Sequence, residues 1–275
     1  MIRRILLFGS TGMLGSYIYS YFHDMADIEI IKINYRVTNE NLSNLEAELV
    51  AHGIDEHTCV INCIGAIPQR FSDKSNNEYY LVNSIFPQVL SSICQRYNAK
   101  MIQPTTDCVF SGKREDGLYT EDDIHDETTH YGMSKSLGEP ANCTVIRTSI
   151  IGREIRNKKS FLEWVLSNPD NEISGWSNHY WNGITCLEYC KIIRHIIEEN
   201  LFWNGVRHIF SPTPVNKYEL AQMIKDVFGL KNMKIRETIC ETPINKTLDT
   251  KYERSIFEIK ELRDQLNELK QFVLI

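Results

Sequence analysis

Four apolar residues, Ile5-Leu6-Leu7-Phe8, run without a break into Gly9-Ser10-Thr11-Gly12-Met13-Leu14-Gly15. A short all-apolar run suits a strand covered on both faces. Glycines at 9, 12 and 15 permit a tight turn out of that strand, close approach of the backbone to a pyrophosphate, and close packing of the next helix. A helical pattern then continues to about Phe22. Strand, glycine turn and helix N-terminus together describe a dinucleotide-binding start, with Gly9, Ser10, Thr11, Gly12, Met13 and Leu14 around the anion.

The alternation repeats down the chain. A second strand, Ile28 to Ile33, ends in Asn34-Tyr35-Arg36. An acidic residue there would bond the ribose 2′-hydroxyl. Asn34 in its place, with Arg36 able to meet a 2′-phosphate, favours NADPH over NADH. The plainer role for Arg36 is a solvated loop residue. A third strand, Cys59 to Ile64, runs into Gly65-Ala66, which puts Cys63, Ile64 and Gly65 where open α/β sheets receive ligands. A helix from Tyr80 to Cys94 carries Asn83 within its apolar face, either as a buried hydrogen-bonder or on the cofactor side.

The fourth strand is read over Lys100 to Phe110, with the hydroxyls of Thr105 and Thr106 late in it. A polar loop over Gly112 to Asp126, a helix from His130 to about Glu139 and a strand over Thr144 to Ser149 follow. The spacing predicts an α/β fold: a doubly wound parallel sheet of Rossmann type over residues 1–152. Residues 153–275 are expected to form mostly a smaller C-terminal substrate-binding lobe, with segments returning to the core. Within it stand a short helix at Phe161 to Ser167, an aromatic-rich loop at Trp176 to Gly183, helices over Leu187 to Asn200 and Lys217 to Phe228, and a charged, helix-like tail from Ser255.

With 275 residues, 42% of them hydrophobic and 24% charged, the chain has enough apolar content for a sizeable core. A net charge of −6 argues against a nucleic-acid binder that relies on bulk electrostatics. Eight cysteines show neither Cys-x-x-Cys nor His/Cys metal spacing, so reduced thiols, a cytoplasmic location and no metal are expected. The start runs straight into a strand and no apolar run spans a bilayer, so neither a signal peptide nor a membrane partner is expected.

Tyr131 and Lys135 lie four apart, one turn apart on one helix face. On a cofactor cleft the ammonium could stabilise the ionised phenol and bring its proton into use near neutral pH. Such pairs also arise by chance, and the neighbouring motifs decide the matter. With Gly9–Gly15, Thr105-Thr106-Asp107-Cys108-Val109-Phe110-Ser111-Gly112, Tyr119-Thr120-Glu121-Asp122-Asp123, Tyr131-Gly132-Met133-Ser134-Lys135-Ser136-Leu137-Gly138-Glu139 and Ile146-Arg147-Thr148-Ser149, the chain resembles an extended short-chain dehydrogenase/reductase. More narrowly, it is similar to the dTDP-4-dehydrorhamnose reductase group over roughly residues 1 to 250.

The resemblance implies nicotinamide-dependent reduction of a nucleotide-linked 4-keto-6-deoxy sugar. Thr106 would help hold the keto oxygen, Tyr131 donate the proton, and Lys135 bind the nicotinamide ribose. Asp107, Cys108, Val109, Trp181 and Asn182 would join Thr106 around the substrate. Trp181-Asn182-Gly183 and Phe161-Leu162-Glu163-Trp164 resemble the branch acting on UDP-linked 2-acetamido sugars; core packing is the plainer role of the tryptophans. A homodimer is one expected assembly. Cys108 stands where GDP-fucose synthases carry an acid/base cysteine for epimerisation, and His179, Lys158 and Lys159 are its candidate partners. A half-buried cysteine used as a small hydrophobe is the alternative. Two rivals remain: a redox-neutral epimerase or dehydratase, and a non-catalytic cofactor-binding subunit like the regulatory subunit of methionine adenosyltransferase.

Overall fold

The computed structural model describes residues 1–68 and 76–275. Strands β1 (Arg4–Phe8), β2 (Glu29–Ile33), β3 (Thr58–Asn62), β4 (Lys100–Thr105) and β5 (Thr144–Arg147) join the Gly205–His208 strand in one six-stranded sheet. The order is Gly205–His208, β5, β4, β3, β1, β2, and every pairing is parallel. Connections leave β1 towards β2 on one side and reach β3 on the other, so a crevice opens beyond the ends of β1 and β3.

Alternate residues of each strand feed two different cores. Ile5, Leu7, Cys59, Ile61, Ile102 and Ile146 join one core. There they meet Leu14, Tyr17, Ile18 and Phe22 of the Met13–Phe22 helix and Leu187, Ile193 and Ile197 of the Cys186–Glu198 helix. Leu6, Phe8, Val60, Met101 and Val145 turn to the other face, against Leu45, Leu49, Phe86, Leu90 and Ile93. Both faces are covered, which explains why β1 and β3 read as unbroken apolar runs.

Three local outcomes differ from the sequence reading. First, β4 stops at Thr105, and Thr106 caps a single 3₁₀ turn, Asp107–Val109, by accepting the Cys108 N–H at 3.1 Å. Second, the expected helix over 80–94 is Asn76–Tyr80, a wide π turn at Leu81–Ile85, and Phe86–Arg96. Pro87 has no N–H to give the Asn83 carbonyl, so the helix widens there. Third, the aromatic-rich loop contains strands: Glu172–Trp176 pairs with Lys234–Thr238, and His179–Trp181 lies between Val215–Asn216 and Ile244–Asn245. Its alternation was hidden because both orientations carry aromatic residues: His179 and Trp181 point in, Tyr180 out.

The C-terminal helix, Leu262–Gln271, returns to the first core through Leu262, Leu266 and Leu269. Gln265 fixes it there, accepting from Thr185 N–H at 2.9 Å and donating to Ser211 Oγ at 2.9 Å. Phe272 stacks on Tyr17 with centroids 5.6 Å apart. No helix among the described residues is long and apolar enough to cross a membrane.

Candidate active site

The turn after β1 is built by exclusion of side chains. Gly9 has φ +72°, and a Cβ there would stand 2.6 Å from the Cys63 carbonyl carbon. A Cβ on Gly15 would stand 2.2 Å from the Gly9 carbonyl oxygen. Glycine is the residue that allows both approaches. Gly12 N–H closes the turn on Gly9 O at 3.0 Å, and the first helical turn carries no acidic side chain. Helix N–H donors therefore face the crevice with no carboxylate of their own first turn to compete.

Gly12, Met13 and Leu14 line one end of a cleft of about 500 Å³. Cys63, Ile64 and Gly65 form its side, and Thr106, Cys108, Tyr131 and Lys135 its far wall. Gly65 lets that wall close: a Cβ would lie 3.0 Å from Lys135 Nζ. The helix His130–Leu137 is capped by Thr129 Oγ1, which accepts from Gly132 N–H at 3.2 Å. A Cβ on Gly132 would lie 2.6 Å from Cys108 O, so this glycine seats the helix against the Thr106–Cys108 turn. Asn83 braces the same helix. It donates to Ala66 O at 2.9 Å and Ser134 Oγ at 3.0 Å, and accepts from Ala66 N–H at 2.8 Å.

Burial governs the ionisable groups. It pushes the Tyr131 phenol well above its ordinary range, Cys108 and Asp107 push the same way, and the Thr106 hydroxyl opposes them. Tyr131 is thus held protonated, a donor. Burial pushes Lys135 down to about 8, and Cys108 up to about 12, helped by Asp107 and opposed by Lys246. The Cys108 thiol is protonated at neutral pH, so a ready base is not what this site holds.

Some expected residues lie elsewhere. Asn83 has its amide fully engaged by protein, which gives it the structural of its two roles. Asn182 is buried, holding Leu248 N–H and O at 2.8 Å each, so it does not face a substrate. Val109 is fully buried with Phe110, Tyr119, Phe210 and Leu248. Asp107 is buried and accepts from Thr106 Oγ1 at 3.0 Å. Trp181 is buried core, with the Lys217 ammonium 5.2 Å from its ring centroid. Asn34 and Arg36 are exposed just past β2. Of the proposed Cys108 partners, His179 is buried against Trp176 with Nε2 at 3.0 Å from Thr242 O. Lys158 is exposed on a loop, and Lys159 reaches the cleft wall. The cations that act on Cys108 are Lys246 and Lys217. Neither stands out in sequence, because Lys217 reads as an ordinary polar residue at a helix start until the strand pairing brings it across.

A nicotinamide dinucleotide fits this cleft. The glycine turn leaves room for a pyrophosphate, and Thr105 Oγ1 and Tyr189 OH are buried at the cleft without a protein partner among the described residues. Among the described residues no group of three or more His, Cys, Asp and Glu could hold a metal ion.

Known proteins carry the same frame. The chain is similar to SpsK, the spore coat polysaccharide biosynthesis protein of Bacillus subtilis (strain 168), at 28% identity over 239 residues, covering 83% of this chain and 80% of that one. It is also similar to methionine adenosyltransferase 2 subunit beta of Rattus norvegicus, at 22% over 262 residues, covering 88% and 77%. A dTDP-4-dehydrorhamnose reductase from Bacillus anthracis, solved in complex with NADP, superposes with a TM-score of 0.80 at 18% identity, covering 98% of each chain. WbmG of Bordetella bronchiseptica, solved with NAD and UDP, does so at 0.76 and 15%, covering 98% of this chain and 94% of that one. These two likenesses speak to the fold. The model of the RmlD substrate-binding domain matches from residue 3 to residue 271, nearly end to end, and by that match the chain belongs to the RmlD substrate-binding-domain family.

Proposed function

We propose that the protein is a sugar-nucleotide reductase that uses NADPH to reduce the C4 ketone of a nucleotide-linked 4-keto-6-deoxyhexose. The observation that carries this reading is the convergence of Thr106, Tyr131 and Lys135 on the cleft whose opposite end is the glycine turn. A bound nicotinamide supplies the hydride. Thr106 Oγ1, turning its proton from Asp107 Oδ1 to the substrate, and the Tyr131 phenol hold the keto oxygen, and Tyr131, kept protonated by burial, gives its proton as charge develops there. Lys135, with no protein acceptor among the described residues, donates to ribose hydroxyls and favours the phenolate left behind. Arg36, exposed just past β2 and with no protein partner for its guanidinium among the described residues, is the candidate to meet a 2′-phosphate; NADH is the alternative cofactor.

The test is a panel of UDP-, dTDP- and GDP-linked 4-keto-6-deoxyhexoses, with and without a 2-acetamido group, assayed with NADPH and NADH. Stoichiometric loss of reduced nicotinamide absorbance, with a C4 alcohol by NMR, is expected. Redox-neutral turnover would place the protein with epimerases instead. Trp181 and Asn182 lie in the core, so the acetamido assignment rests on that panel. Prior exchange at the carbon next to the ketone, with Cys108 acting under the charge of Lys246 and Lys217, is a second reading. Absence of deuterium at C3 and C5 of product formed in D₂O would remove it.

Similarity to methionine adenosyltransferase 2 subunit beta favours one rival, a cofactor-binding regulatory subunit. Its mark would be a Tyr131→Phe variant that keeps every measurable activity.

A further inference from the structure

The Asn216 capping box, with Asn216 accepting from Glu219 N–H and Glu219 from Asn216 N–H, both at 2.8 Å, starts a helix at Lys217. Strand Val215–Asn216 pairs with His179–Trp181, which fixes where that helix begins. Lys217 is thereby carried up to Phe161 at the edge of the cleft. Its ammonium lies 5.1 Å from the centroid of Phe161, which lines the cleft, and 5.2 Å from that of Trp181. Asp107 and Cys108 are near enough for their charge to act on it.

This ammonium is partly buried and has neither a hydrogen bond nor an ion pair with protein among the described residues. Other lysines of the chain show the contrast: Lys246 faces Glu127 at 3.6 Å and Lys270 donates to Val227 O at 2.9 Å. Asp107 does not pair with Lys217, because its carboxylate turns to the Thr106 hydroxyl at 3.0 Å. Two aromatic faces hold a cation in place but give its N–H groups no directed acceptor. Withdrawing an ammonium from water without acceptors is costly, and an acceptor brought by a ligand removes that cost.

We propose that Lys217 is a specificity-determining residue of the cleft, donating to an acceptor oxygen on the hexose of the sugar nucleotide, beside the carbonyl held by Thr106 and Tyr131. The inference rests on the reductase reading and names a substrate contact within it. The hexose is favoured over the diphosphate because Asp107 and Cys108 flank Thr106, the hydroxyl placed for the keto oxygen. A diphosphate beside the Asp107 carboxylate would meet like charge.

The experiment is calorimetric binding, which needs no turnover, to NADP⁺-loaded protein. The ligands are the UDP-, dTDP- and GDP-linked 4-keto-6-deoxyhexoses and the three matching nucleoside diphosphates. Lys217→Met is expected to weaken the preferred sugar nucleotide by about tenfold or more, as loss of a charged hydrogen bond does. The nucleoside diphosphate should bind as to wild type, and Lys217→Arg should recover part of the loss. Equal weakening of both ligands would overturn the proposal in favour of a diphosphate contact. Unchanged binding of both would overturn it in favour of a structural lysine. Wild-type protein that binds none of the sugar nucleotides would end the reductase reading and this inference with it, whereas a silent Lys217→Met alone ends only the inference. Should Lys217→Met melt well below wild type, Lys217→Gln, polar and of similar length, carries the same comparison.

Discussion

Two charged clusters stand at neighbouring positions of the same sheet, for Thr105 at the end of β4 is the register partner of Arg147 at the end of β5. Around Arg147 every group is matched. Its guanidinium, 1% exposed, donates to both Glu139 carboxylate oxygens at 3.0 and 2.6 Å and to the Nε2 atoms of His208 and His125 at 2.7 Å. His208 Nδ1–H turns to Tyr119 O and Asp249 O, and His125 Nδ1–H to Ser136 Oγ at 2.5 Å. Around Thr105 the opposite holds. Among the described residues, Thr105 Oγ1 and Tyr189 OH lack protein partners, and neither Lys135 nor Lys217 has a protein acceptor. A buried network that satisfies itself has no use for a ligand, whereas one left open is completed by a ligand. The closed cluster positions the open one, since Ser136 and Glu139 belong to the segment that carries Tyr131 and Lys135.

The sharpest way to break this contrast is to remove one group from each side. Tyr131→Phe deletes the proton donor of the open cluster, so kcat should fall by roughly 10²- to 10⁴-fold. NADPH affinity and melting temperature should stay near wild type. Retention of most turnover would mean that the open cluster is not catalytic. Glu139→Ala should behave in reverse. It leaves Arg147 buried and short of its carboxylate, and urea unfolding should show a loss of about 3–5 kcal/mol. A loss below about 1 kcal/mol would show that the network is not the brace described above.

Acid and alkali should separate the clusters as well. Burial and Arg147 push His208 down to about 4, below the 6.5 of a free histidine. The unfolded chain therefore binds the extra proton first, and stability present above about pH 6.5 is lost as pH falls towards 4. Lys135 is pushed from 10.5 to about 8. Between those values the unfolded chain again holds more protons, so stability should rise with pH from about 8 to 10.5. Unfolding curves across pH should show the acid slope flattened by His208→Gln and the alkaline slope flattened by Lys135→Met. A Lys135→Met protein that keeps the alkaline rise would show that its ammonium is not desolvated.

Much of this arrangement is legible in the chain. The Gly9–Gly15 turn, the parallel alternation and the bounds of the Lys217–Phe228 helix follow from local rules of backbone freedom and period. What local rules leave open is non-local. Asn83 and Asn182 are polar residues in apolar surroundings, and only the partner across the fold tells a brace from a ligand contact. Lys217 was overlooked because its role depends on Trp181 and Phe161, far away in sequence. The Arg147 network needs residues from 125, 139, 147 and 208 at once, and no spacing announces it.

Glycine-to-alanine changes give the smallest test of the same contrast, because they ask only what each cluster can yield. At Gly138, on the closed side, a Cβ would stand 1.7 Å from the Asn83 carbonyl oxygen, and backbone cannot move aside cheaply. At Gly65 the obstacle is the end of a flexible chain, Lys135 Nζ at 3.0 Å, which need shift by only a few tenths of an ångström. Gly65→Ala should therefore fold with a loss within about 1 kcal/mol, in the range of ordinary substitutions. Its effect belongs in function: Lys135 displaced from the ribose should raise the KM for NADPH a few-fold while leaving that for the sugar nucleotide in place. If Gly65→Ala destabilises as strongly as Gly138→Ala, Lys135 is held rigidly by contacts of its own, and the open cluster is less open than its unfilled acceptors imply.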